Sequence, residues 1–105
     1  MEETKIYVAI SIEVDDDGTT MPSDLLGVFT SVERARKACI HDMDYLMEIM
    51  DSYEKEVAPE EEWSDENQRV AMFRNEDGIS GVDYFVVETK LDKIGNRISL
   101  EGLDD

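Results

Sequence analysis

A long stretch with one apolar face constrains the fold of this chain more than any other feature. Between residues 32 and 57, apolar side chains recur in steps of three or four, close to the 3.6 residues of an α-helical turn. They are Val32, Ala35, Cys39, Met43, Leu46, Met50, Tyr53 and Val57. Thr30 and Glu33 have the spacing of a capping box, with Ser31 as a competing N-cap. The pattern predicts one amphipathic helix over residues 32–57, which must bury its apolar face.

Segments in which apolar residues recur at every second position predict a β-sheet, against which the apolar face of the helix can pack. Residues 5–14 alternate strictly, which predicts a strand with one buried face. Ile6, Val8, Ile10, Ile12 and Val14 form the expected buried face, and Tyr7, Ala9, Ser11 and Glu13 the other. Residues 15–24 favour a loop, and Leu25 to Thr30 form a second short strand, expected to pair antiparallel with the first.

After the helix, Gln68 to Arg74 and Asp83 to Leu91 are typical of two more strands, with turn residues between them at 75–78. Residues 92–100 contain a Gly95-Asn96 turn signal and could add a short edge strand, and residues 101–105 are expected to form a frayed acidic tail. We therefore predict a single domain, residues 1–105, of the α+β class. Its expected architecture is an antiparallel four- or five-stranded sheet packed on one face by one long helix, in the order β-β-α-β-β.

The charge of the chain limits its possible partners. Against 27 acidic residues there are 10 basic ones, which gives a net charge of −17. Nucleic acids and anionic membranes should repel such a chain, because binding to phosphates requires basic residues. No segment has the roughly 18 apolar residues of a membrane span, and the N-terminus lacks the features of a signal peptide, so a cytoplasmic protein is expected. The expected partners are basic protein surfaces.

The acidic residues are densest between positions 42 and 66, where eleven acids accompany one base, Lys55. On the predicted helix, Asp44, Glu48 and Asp51 share one face and would form a negative ridge. Trp63 lies within the acidic connection that follows, either as a core residue or as an exposed interface anchor. The candidate partner-binding residues are Asp44, Glu48, Asp51, Glu54, Glu60, Glu61, Glu62, Trp63, Asp65 and Glu66.

Other chemistries find weaker support in the sequence. Glu13, Asp15, Asp17 and Asp24, with Gly18, match part of the spacing of an EF-hand calcium loop, but Met21 offers no oxygen ligand and the flanking segments are predicted strands. A solvated loop is therefore the favoured interpretation. The single histidine, His41, has no assignable catalytic partners, and the single cysteine, Cys39, is expected in the core. We expect no enzymatic activity and no cofactor.

The junction Gly27-Val28-Phe29-Thr30-Ser31-Val32-Glu33-Arg34-Ala35, with the strand segments 5–8 and 84–92, resembles small uncharacterised bacterial and phage domains of the β-β-α-β type. This resemblance implies a fold and no activity. In composition, the chain is similar to acidic phage-encoded inhibitors such as anti-CRISPR and anti-restriction proteins, which implies mimicry of a nucleic acid.

Two functional hypotheses follow from the sequence. In the first, the protein is a small inhibitor or regulator, encoded by a phage or mobile element, whose acidic residues occupy a basic nucleic-acid-binding surface of a partner. In the second, it is a non-catalytic accessory domain that self-associates through its sheet or through exposed Met47 and Ile49, and its acidity maintains solubility. Both a monomer and a homodimer are compatible with the sequence.

Overall fold

The computed structural model describes residues 4–50, 52–92 and 97–99. Their elements are strands β1 (Thr4–Val14) and β2 (Asp24–Phe29), helix α1 (Val32–Ile49), strand β3 (Ser52–Val57), a short 3-10 helix (Glu60–Glu62), and strands β4 (Arg69–Asn75), β5 (Gly81–Asp92) and β6 (Arg97–Ser99). The strands form one antiparallel sheet in the order β2-β1-β5-β4-β3, with β6 pairing with β5. The α+β architecture predicted from the sequence is confirmed, including the short strand after residue 92. The predicted tail, residues 101–105, and the Gly95-Asn96 turn lie outside the described residues.

Helix α1 begins where the sequence indicates but ends eight residues earlier than predicted. Ser31 is the N-cap, and its hydroxyl oxygen accepts a hydrogen bond from the backbone N–H of Arg34 at 3.2 Å. Met50 has extended backbone angles, and residues 52–57 form β3. The prediction of a helix through Val57 was therefore wrong. Continuing the helix would have placed further acids at its negative C-terminal end, which is electrostatically unfavourable.

The strand that replaces the end of the predicted helix is paired with β4. In this register Lys55 lies opposite Phe73, and Val57 lies opposite Ala71. Phe73 and Ala71 are both buried beneath the helix. Because alternate residues of a strand face opposite sides, Glu54 and Glu56 lie on the sheet face away from α1.

The core lies between α1 and the sheet. Ala35, Cys39 and Met43 form the buried stripe of the helix, and they pack against the sheet face that carries Ala9 and Tyr84. The helix therefore covers the face of β1 that the alternation assigned to solvent, and the prediction of a single buried face for this strand was wrong.

The opposite face of the sheet is also apolar. Val8, Ile10 and Val87 are buried there and form a second cluster with partly buried Phe85. Within the described residues, α1 is the one α-helix and it lies on the other face. Both sides of β1 are thus buried, which is why it carries apolar residues at successive positions.

Candidate functional site

The structure separates the acidic residues that the sequence placed on one helix. Asp44 and Glu48 lie on the exposed side of α1, one helical turn apart. Asp51 lies outside the described residues, and Glu54 is on β3 with its side chain on the other face of the sheet. The predicted continuous helical ridge from Asp44 onward was therefore wrong, because the helix ends before the row is complete.

The remaining candidates lie together on one connection between β3 and β4, residues 58–67, which we call the acidic loop. Its five acidic side chains are all exposed: Glu60, Glu61, Glu62, Asp65 and Glu66. Within seven positions, five carboxylates thus face solvent on one short segment. This segment is the densest exposed negative charge among the described residues.

The backbone of the acidic loop is held by its own hydrogen bonds. The 3-10 helix is closed by the N–H of Glu62 on the carbonyl of Pro59 and by the N–H of Trp63 on the carbonyl of Glu60. Ser64 and Asn67 exchange backbone hydrogen bonds, and the Asn67 side-chain amide donates to the carbonyl of Glu62 at 3.1 Å. These bonds define the backbone conformation that carries the five carboxylates.

Trp63 attaches the acidic loop to the sheet. Its indole Nε1 donates to the carbonyl oxygen of Val86 at 3.0 Å, and its ring lies edge-on to Tyr7 with centroids 5.9 Å apart. The side chain is half-buried and packs against the main core. Of its two interpretations from the sequence, the structure places Trp63 as a core residue that anchors the loop.

A second attachment joins the acidic loop to the helix. The guanidinium of Arg36 donates to the carbonyl oxygen of Ala58 at 2.6 Å. The loop therefore lies beside the second turn of α1, and Asp44 is eight residues farther along, about 12 Å at 1.5 Å per residue. The loop and the acidic half of the helix are consequently two separate regions.

The two regions differ in how far their charges are neutralised. No ion pair between residues that the structure describes includes an acid of the loop. On the helix, by contrast, Asp44 lies 3.6 Å from the ammonium of Lys55. A partner with basic side chains would find unpaired carboxylates in the loop.

One acid beside the loop, Glu88, was missed from the sequence: it lies opposite Tyr7, whose ring contacts Trp63. Burial raises the pKa of Tyr7, and the negative charges of Glu88 and Asp65 raise it further. Glu88 lies opposite Tyr7 in the ladder between β1 and β5, and its carboxylate is 3.8 Å from the ammonium of Lys5. The period-two pattern places Glu88 on the same strand face as Tyr84 and Val86, but its position opposite Tyr7 depends on the register between β1 and β5.

A cleft of about 270 Å³ lies between the end of β3 and the acidic loop. Glu56, Glu62, Asn67 and Arg69 line it, and Arg69 already pairs with Glu56 at 3.4 Å. This mixture of paired charges lacks an adjacent nucleophile and base, and we assign it no chemistry.

The calcium candidates lie in and beside the β1–β2 connection. Asp17 accepts the N–H of Thr19 at 2.9 Å, which lowers the pKa of its carboxyl group, and Gly18 adopts a positive φ of 86°. Asp24 is opposite Ser11 in the β1–β2 ladder. Among the residues that can be described, no three or more His, Cys, Asp and Glu side chains form a group suited to a metal ion.

The cysteine lies in the core, as the sequence predicted, and the histidine lies at the surface. Cys39 is fully buried, and burial, with a smaller effect of Asp42, raises the pKa of its thiol to about 12. A thiol in this state is a poor nucleophile at neutral pH. His41 is exposed on α1.

One polar contact in the core was not predicted. The hydroxyl of Tyr84, which is fully buried, donates to the carboxylate of Asp42 at 2.9 Å. Asp42 is thus part of the packing between helix and sheet rather than of the exposed negative surface. The helical spacing distinguishes it from neighbouring acids, because Asp42 follows Cys39 by three residues and lies beside the apolar stripe, whereas Asp44 and Glu48 lie on the opposite side.

Across residues 4–50, 52–92 and 97–99, no helix has the length and apolar character that crossing a membrane requires. Comparisons of the chain with family models, with the curated proteins and with the solved structures found no match.

Proposed function

We propose that this protein is a non-catalytic binding protein whose acidic loop occupies a basic surface of another protein, of the kind that otherwise binds nucleic acid. The observation that carries the proposal is the set of five exposed carboxylates without an ion pair among the described residues. Carboxylates on a short rigid segment resemble the closely spaced phosphates of a nucleic acid. Such a protein would act as an inhibitor or regulator by competition.

Order in the loop supports this proposal as much as charge does. A flexible acidic segment loses conformational freedom when it binds, and that loss opposes association. The indole–carbonyl bond of Trp63 and the Arg36–Ala58 bond hold the loop before any partner arrives. The cost of ordering is therefore already met in the folding of the protein.

A test can separate a specific surface from general acidity. In one variant Glu61, Glu62 and Glu66 become Gln; in a matched control Glu13 and Glu76 become Gln and Asp16 becomes Asn. All six residues are exposed, and each triple changes the net charge from −17 to −14. The control residues lie at the opposite end of the sheet, where residue 52 pairs with 75 and residue 14 with 81.

The probe is an arginine-rich peptide, with affinity measured by fluorescence anisotropy over a range of salt concentrations. We expect the loop triple to weaken binding at least about tenfold, since each lost charge contact contributes up to about 1 kcal/mol. The control triple should weaken it less than about threefold, through the long-range field alone. Equal losses in both triples would contradict a specific loop surface and favour acidity as a means of solubility.

A further inference from the structure

The two edges of the sheet differ in how well they are protected against another strand. Within the described residues, β2 pairs with β1 alone and β3 with β4 alone, so each leaves one side of its backbone without a strand partner. Such edges are templates for pairing, and proteins usually protect them with charged side chains. Strand β3 follows this rule, with Glu54, Lys55 and Glu56 in succession.

Strand β2 does not follow it. After Asp24, the residues from Leu25 to Val32 carry no charge, and this is the longest uncharged run in a chain of which 35% is charged. Leu25 is 59% exposed and Val28 is 38% exposed. The least charged segment of a strongly acidic protein is therefore an open strand edge with exposed apolar side chains.

The exposed side chains of β2 continue an apolar surface across the sheet. Val28 is opposite Val8, and Leu25 is opposite Ile10, on the face away from α1. On the next strand, Val87 and Phe85 extend the same rows. A strand added to β2 would thus extend both the backbone ladder and this apolar face.

From these features we infer that β2 pairs antiparallel with β2 of a second copy of this chain, around a two-fold axis at Val28, and joins two sheets into one. In this register Gly27 of each copy lies opposite Phe29 of the other, and Val28 lies opposite its own counterpart. The two Asp24 residues are then eight positions apart, about 27 Å along the strands, so they do not face each other.

The lack of charge on β2 favours a second copy of this chain over a basic partner. A basic partner is attracted to carboxylates, and β2 offers it none beyond Asp24. Two copies of net charge −17 repel each other over most of their surfaces, and an uncharged run is where they can meet at least cost. A bulge turns Leu26 towards the core, so the regular ladder is short and the dimer should be weak.

This inference does not rest on the proposed function, and the two respond to salt in opposite ways. Sedimentation velocity should show a dimer that increases with protein concentration and with added salt, because salt screens the repulsion between like-charged copies. Binding to a basic probe should instead weaken with salt. Failure of one proposal would leave the other standing.

Matched variants at the two edges test the location. Val28 and Val57 are both 38% exposed and lie on β2 and β3, respectively. We expect Val28→Glu to raise the dimer dissociation constant at least about tenfold and Val57→Glu to change it less than about twofold, because only the first puts a charge at the pairing edge. Circular dichroism and thermal unfolding are the controls that establish whether each variant is folded.

Disulfide formation tests the register without relying on a folded charge variant. Val28→Cys should form an intermolecular disulfide in mild oxidant, since each residue faces its counterpart, whereas Val57→Cys should not. Cys39 is fully buried and does not compete. A wild-type protein that stays monomeric at every concentration and salt level would overturn the inference. So would a dimer that is more sensitive at Val57, or equal cross-linking of the two cysteine variants.

Discussion

In the second half of α1, two carboxylates have partners within the fold, since Asp42 accepts the hydroxyl of Tyr84 and Asp44 pairs with Lys55. In the acidic loop, none of the five carboxylates takes part in an ion pair between described residues, although the backbone beneath them is held by hydrogen bonds. The same residue type thus contributes to folding in one region and is left available in the other. Acid density alone cannot distinguish these two uses, but the contacts of each carboxylate can.

The largest effect on stability should come from a change at Trp63, the residue that attaches the acidic loop to the sheet. We expect Trp63→Ala to lower the free energy of unfolding by on the order of 3 kcal/mol, because it removes a large packed side chain and the indole–carbonyl bond. Urea unfolding measures this loss. The net charge does not change, yet affinity for the arginine-rich peptide should fall, since the loop loses its fixed arrangement.

A conservative variant separates order from packing at the same position. Trp63→Phe retains an aromatic ring but loses the N–H that reaches Val86, and should cost about 1 kcal/mol. Its probe affinity should lie between those of the wild type and Trp63→Ala. If Trp63→Ala binds as tightly as the wild type while amide exchange shows a loosened loop, preorganisation is not needed for binding.

The fold was largely predictable from the sequence, because alternation and turn residues define β1, β2, β4 and β5 without reference to the rest of the chain. The end of α1 was not. Tyr53 and Val57 are four residues apart, and residues at this spacing lie on the same side of both a helix and a strand. They therefore continued the helical pattern equally well, and only the pairing of β3 with β4 decides between the two structures.

Part of the candidate site was also predictable from local sequence. The position of the acidic loop follows from local composition, and five of its candidate acids are exposed as expected. The neutralisation of Asp44 by Lys55 could not be foreseen, because on a continuous helix these residues, eleven apart, would lie about 16 Å apart along the axis. Long-range pairing of strands sets the electrostatics of the site, and a single sequence does not reveal it.

An intermediate effect on the free energy of unfolding is expected at α1, where Asp42 accepts a hydrogen bond from Tyr84. Tyr84→Phe removes the hydroxyl that donates to Asp42 and should lower the free energy of unfolding by about 1–2 kcal/mol at neutral pH. The loop triple of Glu→Gln variants should not lower it, because those carboxylates have no partner to lose. A destabilised loop triple would contradict the division of roles between the two regions.

The buried hydroxyl of Tyr84 and the buried thiol of Cys39 predict how the stability of the protein depends on pH. Burial, a hydrogen bond to Asp42 and its negative charge raise the pKa of Tyr84 above its ordinary value of 10.0, and burial raises that of Cys39 from 9.0 to about 12. Both groups are neutral in the folded protein and ionise more readily when it unfolds. Their contribution to stability is therefore complete below pH 9 and is lost as the pH rises above these unfolded values. In urea titrations between pH 8 and 11, Tyr84→Phe should flatten the decline above pH 10, and an unchanged slope would contradict this assignment.

The smallest effects come from removing one surface cation in each region. Lys55→Gln frees Asp44 on the helix, and Lys5→Gln frees Glu88 beside the acidic loop. Each variant changes the net charge from −17 to −18 and breaks one exposed ion pair, so each should lower the free energy of unfolding by less than about 0.5 kcal/mol. Their effects on the arginine-rich peptide should differ: Lys5→Gln should raise the affinity more than Lys55→Gln, because it adds a free carboxylate to the surface that binds. Equal increases would mean that the peptide senses net charge alone, and a larger increase for Lys55→Gln would move the binding surface to the helix.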